Sequence, residues 1–470
     1  MNPAIWWPVA WRSGPRERGR PDRTLKYQVP YSYIRCLTEG ADMKVLIIGA
    51  GMGGLTLAQA LRRTGIEVAV HERDDAIEAT GGYRLHLDDL ACAVLARHLT
   101  PDHYQALLGS SAGWQAFRRF AVTDHRMRLL SAEPRERTAE TLMIGRIPLR
   151  RLLAHGLDGA LRFGAEYTGH RTHADGTVTA HFADGSTDRG ALLVGADGVG
   201  SRVAAALAGR PTSAPAGVSG IAGRTPLDGR TRPLVPGLLA EGPALAFGPG
   251  GIGMFVTVHD PAGGAVVDPA SCTRVPAVLE EPALVWGLLA PDGRLPGRPR
   301  ELDGAGLTRV TGTLLDGWDG RVRALVRAGD PDTVAHFRFH AADPDADLTP
   351  WPAGAVTALG DAVHAMPPTG GRAAATAIRD AGLLAGELAR AYAGESTIPM
   401  AVHRYQSAMA AYAGDAIRTS MQPLGWVHRL AGPVGTGLAR LSLPALATAA
   451  RLGRGVTAAR GRRMSGARVA

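Results

Sequence analysis

The sequence is short of lysine, cysteine, aromatic residues and long apolar runs. Each shortage removes a class of function. The only lysines are Lys26 and Lys44, so chemistry that needs a lysine further along the chain is excluded. Three widely spaced cysteines, Cys36, Cys92 and Cys272, form no CxxC pair and no metal-ligand cluster, which fits a reduced, cytoplasmic setting. No run of 18 or more apolar residues occurs, so no transmembrane span is expected. Aromatics are 5% of the chain, and no basic stripe carries interleaved aromatics. The net charge of +9, nearly all arginine, therefore does not read as a nucleic-acid surface. Glycine (61) and proline (32) are abundant but follow no period, which excludes collagen-like and solenoid repeats.

What is present is a globular chain. Its 470 residues, 45% hydrophobic and 20% charged, suffice for two or three domain-sized units. Residues 1–42 are Arg/Pro-rich, lack a signal-peptide apolar core and precede Met43. They read as a disordered extension or as the product of an upstream start codon. Residues 461–470 form a small basic tail, expected to fray.

The stretch from Lys44 to Glu72 organises the rest. Val45-Leu46-Ile47-Ile48 is an apolar run suited to a buried strand. It stops at Gly49-Ala50-Gly51-Met52-Gly53-Gly54. A helix follows, with Leu57, Ala60 and Leu61 at helical spacing, then a second strand at Ile66 to Val70. Glu72 stands at its end, 23 residues past Gly49. Strand, glycine turn, helix, strand and acid form a dinucleotide-binding pattern. Gly49 allows the tight turn, Gly51 lets backbone approach a pyrophosphate, and Gly54 lets helix pack on strand. The diphosphate would sit at the helix N-terminus, and Glu72 would accept from ribose hydroxyls.

Further on, Arg84 to Leu87 alternates as an extended segment, and a helix is expected from Asp88 to Leu99. Arg146 to Leu153 reads as a helix start with Pro148 in its first turn. Residues 165–182 form a hairpin signal around Asp175-Gly176. Ala191 to Val194 is a buried strand ending in Gly195-Ala196-Asp197-Gly198. Residues 215–340 change character. Short strands at 244–247, 254–258, 284–289 and 335–339 between Pro/Gly turns read as a mainly antiparallel sheet. Ala355 to Leu359 returns to a buried strand, followed by Gly360-Asp361, a glycine loop, a helix at 376–391 and helical segments at 400–450.

The Gly49 turn, the Asp197-Gly198 segment and the Gly360-Asp361 segment, in that order, resemble the class A FAD-dependent monooxygenases, the para-hydroxybenzoate hydroxylase-like family. The resemblance covers about residues 43–420. It implies an α/β fold: a Rossmann-like FAD-binding domain (43–214 and 341–395) with an inserted, mainly antiparallel β-sheet substrate domain (215–340) and a C-terminal helical segment (396–470). By similarity, Gly49, Gly51, Gly54 and Glu72 bind the ADP half of FAD, with Arg73 and Gly82 also assigned to the cofactor. Arg146, in Arg-x-x-Leu-Arg, resembles the arginine reaching the pyrophosphate or ribose. Asp197 resembles the aspartate of the motif implicated in NADPH handling, although Ala204 stands where the family usually has arginine. Asp361 resembles the aspartate that bonds the ribityl chain. Gly371 and Ala374 belong to the loop that passes the isoalloxazine, where Ala373-Ala374-Ala375 replaces the usual Gly-x-Asn. A positive φ at Ala373 would be costly, and three alanines favour an early helix start.

The implied chemistry is the cofactor's. NADPH or NADH reduces FAD, O2 adds at flavin C4a, and the hydroperoxide passes one oxygen atom to an electron-rich carbon. Arg84, His86, Arg224 and His364 are candidates to line the substrate space. A hydrophobic aromatic or polyketide-type secondary metabolite is the expected substrate, and a monomer or homodimer the expected state. Flavin-dependent halogenases are disfavoured, since lysine after Lys44 and a Trp-x-Trp-x-Ile-Pro segment are both absent. A non-oxygenating FAD oxidoreductase or cyclase, or a relative with weakened flavin binding, stands as the alternative. A cofactor-free scaffold is disfavoured by the glycine turn and Gly360-Asp361.

Overall fold

The structure is a computed structural model and describes residues 43–79, 81, 84–134 and 141–431. The chain opens with β1 (Lys44–Ile48), α1 (Met52–Arg63), β2 (Glu67–His71) and β3 (Arg84–Leu87). Next come α2 (Asp89–His98), α3 (Pro101–Gly109), β4 (Arg119–Asp124), β5 (Leu129–Pro134), β6 (Leu142–Gly145) and α4 (Arg146–Ala154). Then follow β7 (Leu161–Arg162), β8 (Tyr167–Thr172), β9 (Val178–Phe182), β10 (Thr187–Gly190), β11 (Leu192–Gly195) and α5 (Arg202–Ala208). The middle holds β12 (Ala214–Pro226), β13 (Ala244–Phe247), β14 (Gly253–His259), α6 (Pro261–Gly264) and β15 (Ala283–Pro291). It continues with α7 (Gly304–Leu314), α8 (Gly320–Arg327) and β16 (Ala335–Ala341). The chain closes with β17 (Val356–Ala358), α9 (Asp361–His364), α10 (Ala373–Tyr392) and α11 (Ile398–Ala431).

The first layer is a five-stranded parallel sheet in the order β17-β11-β1-β2-β7. β1 lies at its centre because its apolar run serves both faces. Val45 and Ile47 join the core under α1 and α10, and Leu46 and Ile48 join a core with the β8–β9 hairpin. Leu57, Ala60 and Leu61 of α1 are fully buried in the first of these cores.

The second layer is a seven-stranded sheet in the order β16-β12-β15-β14-β13-β4-β5. Its pairs are antiparallel except β13 with β4, which run parallel. β4 and β5 come from residues 119–134, so this sheet is not built from 215–340 alone. No periodic signal marked those two strands in the sequence. One face packs Trp286, Leu284 and Leu288 against Leu307 of α7 and Leu325 of α8. The other carries Leu245, Phe247 and Leu289, and α11 lies on it through Leu424 and Val427.

The helical region after residue 400 is one helix to Ala431 rather than several segments. The expected helix to residue 450 and the tail at 461–470 lie outside the described residues, as do residues 1–42. Within the described residues, no helix is long and apolar enough to cross a membrane.

Candidate functional site

The site gathers at the C-terminal ends of β1, β11 and β17, where an open parallel sheet leaves helix starts facing outward. Gly49 has φ of +108°, and a Cβ there would lie 2.4 Å from the Ala196 carbonyl oxygen. A Cβ on Gly54 would lie 2.1 Å from the Gly49 oxygen. Gly51 is looser, with the nearest atom 4.0 Å away. The first and last glycines are thus fixed by close backbone approach, and the middle one leaves open room in front of α1.

The helix starts share a pattern. α1, α4, α9 and α10 begin at Gly51, Gly145, Gly360 and Arg372, and none has a side-chain cap. By contrast α2, α3, α5, α7 and α8 are capped by Asp88, Thr100, Ser201, Asp303 and Asp319. Uncapped N–H groups need another acceptor. No acid stands in the first turns of α1, α4 and α10, which suits an anionic or carbonyl-rich ligand.

Glu72 is 7% exposed and braced. Its Oε2 accepts from the Ala50 N–H at 2.7 Å and its Oε1 from the Asp74 N–H at 3.1 Å. Arg150, 2% exposed, donates from Nη2 to Glu72 Oε2 at 3.4 Å. Its Nε donates to the Ala50 carbonyl at 3.0 Å and its Nη1 to the Ile77 carbonyl at 2.8 Å. Burial pulls the guanidinium below its ordinary value, and the charge of Glu72 opposes this. Arg150 was not singled out from sequence. The only signal was its place as the second arginine of Arg-x-x-Leu-Arg. The first, Arg146, is half-buried, and its side chain makes no hydrogen bond or ion pair with the described residues. Arg73 lies in solvent, its side chain 75% exposed beside Asp74 at 3.8 Å. Gly82 lies outside the described residues.

Asp361 opens α9 after Gly360, whose φ is +64°. Its Oδ1 is buried without a protein partner. Burial holds its carboxyl above the usual range; His364 and Arg146 oppose this, and Asp380 adds to it. His364 and Asp380 are both fully buried, with Nε2 2.6 Å from Oδ2. Asp380 Oδ2 also accepts from the Gly360 N–H at 2.8 Å, and Tyr412 donates its hydroxyl to Oδ1. Burial alone would lower the His364 imidazole, but the charge and hydrogen bond of Asp380, together with Asp361, raise it.

Gly371 has φ of +64°, and a Cβ on it would meet the His86 Cβ at 3.9 Å. His86 sits edge-on to Phe117, ring centres 4.9 Å apart. The loop before it is fastened to α11 by Thr369 Oγ1 donating to the Ser420 carbonyl at 2.6 Å. α10 then begins at Ala373, so the three alanines are its first turn and no positive φ is needed there. Ala374 is half-buried in that turn.

Other candidates are occupied by structural partners. Arg84 donates to Thr257 Oγ1 at 2.5 Å and to the Val258 carbonyl, tying β3 to β14. Burial lowers its pKa to about 10. Arg224 pairs with Glu280 at 2.5 Å, and Glu280 also holds His259 Nε2 at 2.8 Å. Burial alone would raise the Glu280 carboxyl; the His259 hydrogen bond and the Arg224 charge outweigh it and lower it. Asp197 accepts from the Arg202 N–H at 2.8 Å and the Val203 N–H at 3.3 Å, so its carboxylate braces the start of α5. Ala204 is fully buried in that helix, where a long side chain has no room.

The sequence profile of the FAD binding domain family matches residues 42–228 and 330–420. The chain belongs to this family. The aurachin C monooxygenase/isomerase of Stigmatella aurantiaca is 30% identical over 391 residues, covering 80% of this chain and 88% of that protein. The dual O-methyltransferase/FAD-dependent monooxygenase elcB of Phaeosphaeria nodorum is 30% identical over 384 residues. That match takes in 72% of this chain but only 39% of the relative's length. A crystal structure of Klebsiella pneumoniae HpxO with FAD and uric acid has the same fold, with a TM-score of 0.67 at 22% identity, over 88% of this chain and 94% of that one. The class A FAD-dependent monooxygenase resemblance drawn from the three motifs therefore holds, and FAD is the cofactor of the family. The residues present fit it: open glycine turn, uncapped helix starts, and a buried carboxylate oxygen without a protein donor.

Proposed function

We propose that the protein is an NAD(P)H-consuming FAD monooxygenase that inserts one oxygen atom into a hydrophobic aromatic or polyketide-type metabolite. The observation that carries this reading is the unpartnered Asp361 oxygen, set among helix starts that lack caps. Bound FAD, reduced by a nicotinamide, supplies the oxygen-activating chemistry. The chain's residues bind and orient. The α1 start takes the diphosphate, Glu72 the adenosine ribose, and Asp361 the ribityl hydroxyls. Arg146, without a protein partner, reaches the same anion. The N–H groups of Ala373 and Ala374, in the uncapped first turn of α10, would supply donors to the flavin carbonyls.

The substrate lies between the flavin and the sheet face that carries Phe120, Phe255 and Phe337. An apolar wall of this kind excludes water from the reacting oxygen. Relatives named as monooxygenases, one of them for aurachin C, support oxygenation of a small organic substrate. Residues 43–214 and 341–395 hold the cofactor, and the seven-stranded sheet, with β4 and β5 added, faces the substrate.

The test is NAD(P)H oxidation by the FAD-loaded protein with polycyclic phenols, under isotopically labelled O2. Substrate-stimulated oxidation with label in the product is expected. Turnover without oxygen incorporation would favour the non-oxygenating alternative.

A further inference from the structure

Asp361 and His364 are three residues apart in α9, on one face of a helical turn. Behind them, Asp380 of α10 binds His364 Nε2 at 2.6 Å and the Gly360 N–H at 2.8 Å. One carboxylate thus fixes both the imidazole and the backbone that aims Asp361. Groups on every packed element face this cluster. α10 adds Arg379, whose guanidinium lies 3.6 Å over the Tyr412 ring. α11 adds Tyr412 and Tyr405, whose hydroxyls bond Asp380 and the Ala358 carbonyl. α4 adds the charge of Arg146. Burial holds both tyrosines well above their usual range, so they stay neutral. The groups left to titrate are two carboxyls and one imidazole.

A carboxyl that has lost its charge keeps a proton on one oxygen and no longer offers a hydroxyl the stronger, charge-assisted bond. Two buried carboxylates this close cannot both ionise unless a cation sits with them. Arg146 supplies part of that charge from α4, and the His364 ring, bonded to Asp380, is placed to supply the rest. We propose that His364 is a positioning residue: its proton, held by Asp380, keeps Asp361 ionised and so able to accept from FAD. This rests on the reading of Asp361 as the ribityl acceptor.

The experiment titrates FAD into the flavin-stripped full chain and follows Kd by flavin fluorescence from about pH 5 to about pH 8. In the wild type, Kd rises about tenfold per pH unit once Asp361 protonates on the acid side. His364→Gln keeps an amide donor to Asp380 but removes the charge. It is expected to move that break to higher pH by about one unit or more, with affinity retained above it. An unmoved break, or a uniform loss of affinity at all pH values, overturns the proposal. Asp361→Asn separates the two readings. Loss of both affinity and the acid break is expected. Wild-type binding by that variant overturns the acceptor reading and the proposal with it. An unmoved His364→Gln profile overturns the charge role alone. If the His364→Gln chain does not fold, nitrogen-labelled NMR of the wild type decides. A protonated His364 ring at neutral pH is required, and a neutral ring overturns the proposal.

Discussion

At the scale of single residues, the site depends on side chains that tie distant backbone together. Arg150 reaches the glycine turn, Glu72 and the Ile77 carbonyl from one buried position. Truncating it leaves the buried Glu72 carboxylate without its cation and takes a donor from the Ala50 and Ile77 carbonyls. Arg150→Ala is expected to destabilise the fold by about 3–5 kcal/mol and to weaken FAD binding, read by thermal melts and flavin titration. Asp188 plays a similar part at the sheet edge, with Lys44 Nζ at 2.6 Å and His71 Nε2 at 3.1 Å. Burial works against its charge, but the His71 and Lys44 hydrogen bonds lower its pKa from 3.8 to about 2. A depressed carboxyl stabilises the fold above its unfolded pKa, and that contribution fades as pH falls from about 4 towards 2. Asp188→Asn should cost about 2 kcal/mol at neutral pH and flatten the acid limb of the stability curve, checked by urea melts across pH. Partnerships of this kind were not legible in the sequence. Arg84 meets Thr257 across 173 residues, and Asp380 meets His364 with no motif to announce it.

At the scale of elements, the signals that could be read were local ones. The β1 run, the turn after it and the acid at the end of β2 each follow from a few neighbouring residues, and the structure places them as expected. The start of α10 was half legible. Its alanines favour helix, and the helix does begin at Ala373. The left-handed position falls instead on Gly371. Ala373→Gly would therefore lower helix stability by about 1 kcal/mol without relieving any strain. Ala375 is 4% exposed in the main core, so Ala375→Asn would bury an amide. The double variant is expected to melt earlier and to bind FAD no tighter, measured by circular dichroism and flavin titration. Tighter binding would mean the amide finds the flavin. Strands β4 and β5 stayed hidden because their place in the large sheet is set by a parallel partner, β13, more than a hundred residues later.

At the scale of the whole molecule, a parallel sheet and a large, mainly antiparallel sheet lie in one chain. The purified chain is expected to be yellow, with about one FAD released per chain on heating, read by its visible spectrum. A colourless chain that takes up no added FAD would contradict the fit of cradle and cofactor. The layers are joined by α11. Ala401, Tyr405 and Met409 sit in the dinucleotide core, Ala416 and Ile417 pack with Met366, and Leu424 and Val427 lie on the large sheet. Val427→Asp would place a charge in that last contact. It is expected to lower thermal stability while leaving the glycine turn intact, which hydrogen exchange at Ala50 would report.

The same helix has an architectural consequence. Its 34 residues measure about 50 Å along the helix path, with Pro423 inside, where a proline removes one backbone hydrogen bond. Packed against both layers, it acts as a spacer between the parallel sheet and the large sheet. A spacer cannot stretch to admit a larger guest. With the substrate placed as proposed, the space for it would be set by side chains such as Met421, which packs with both the Met366 cluster and the large-sheet cluster.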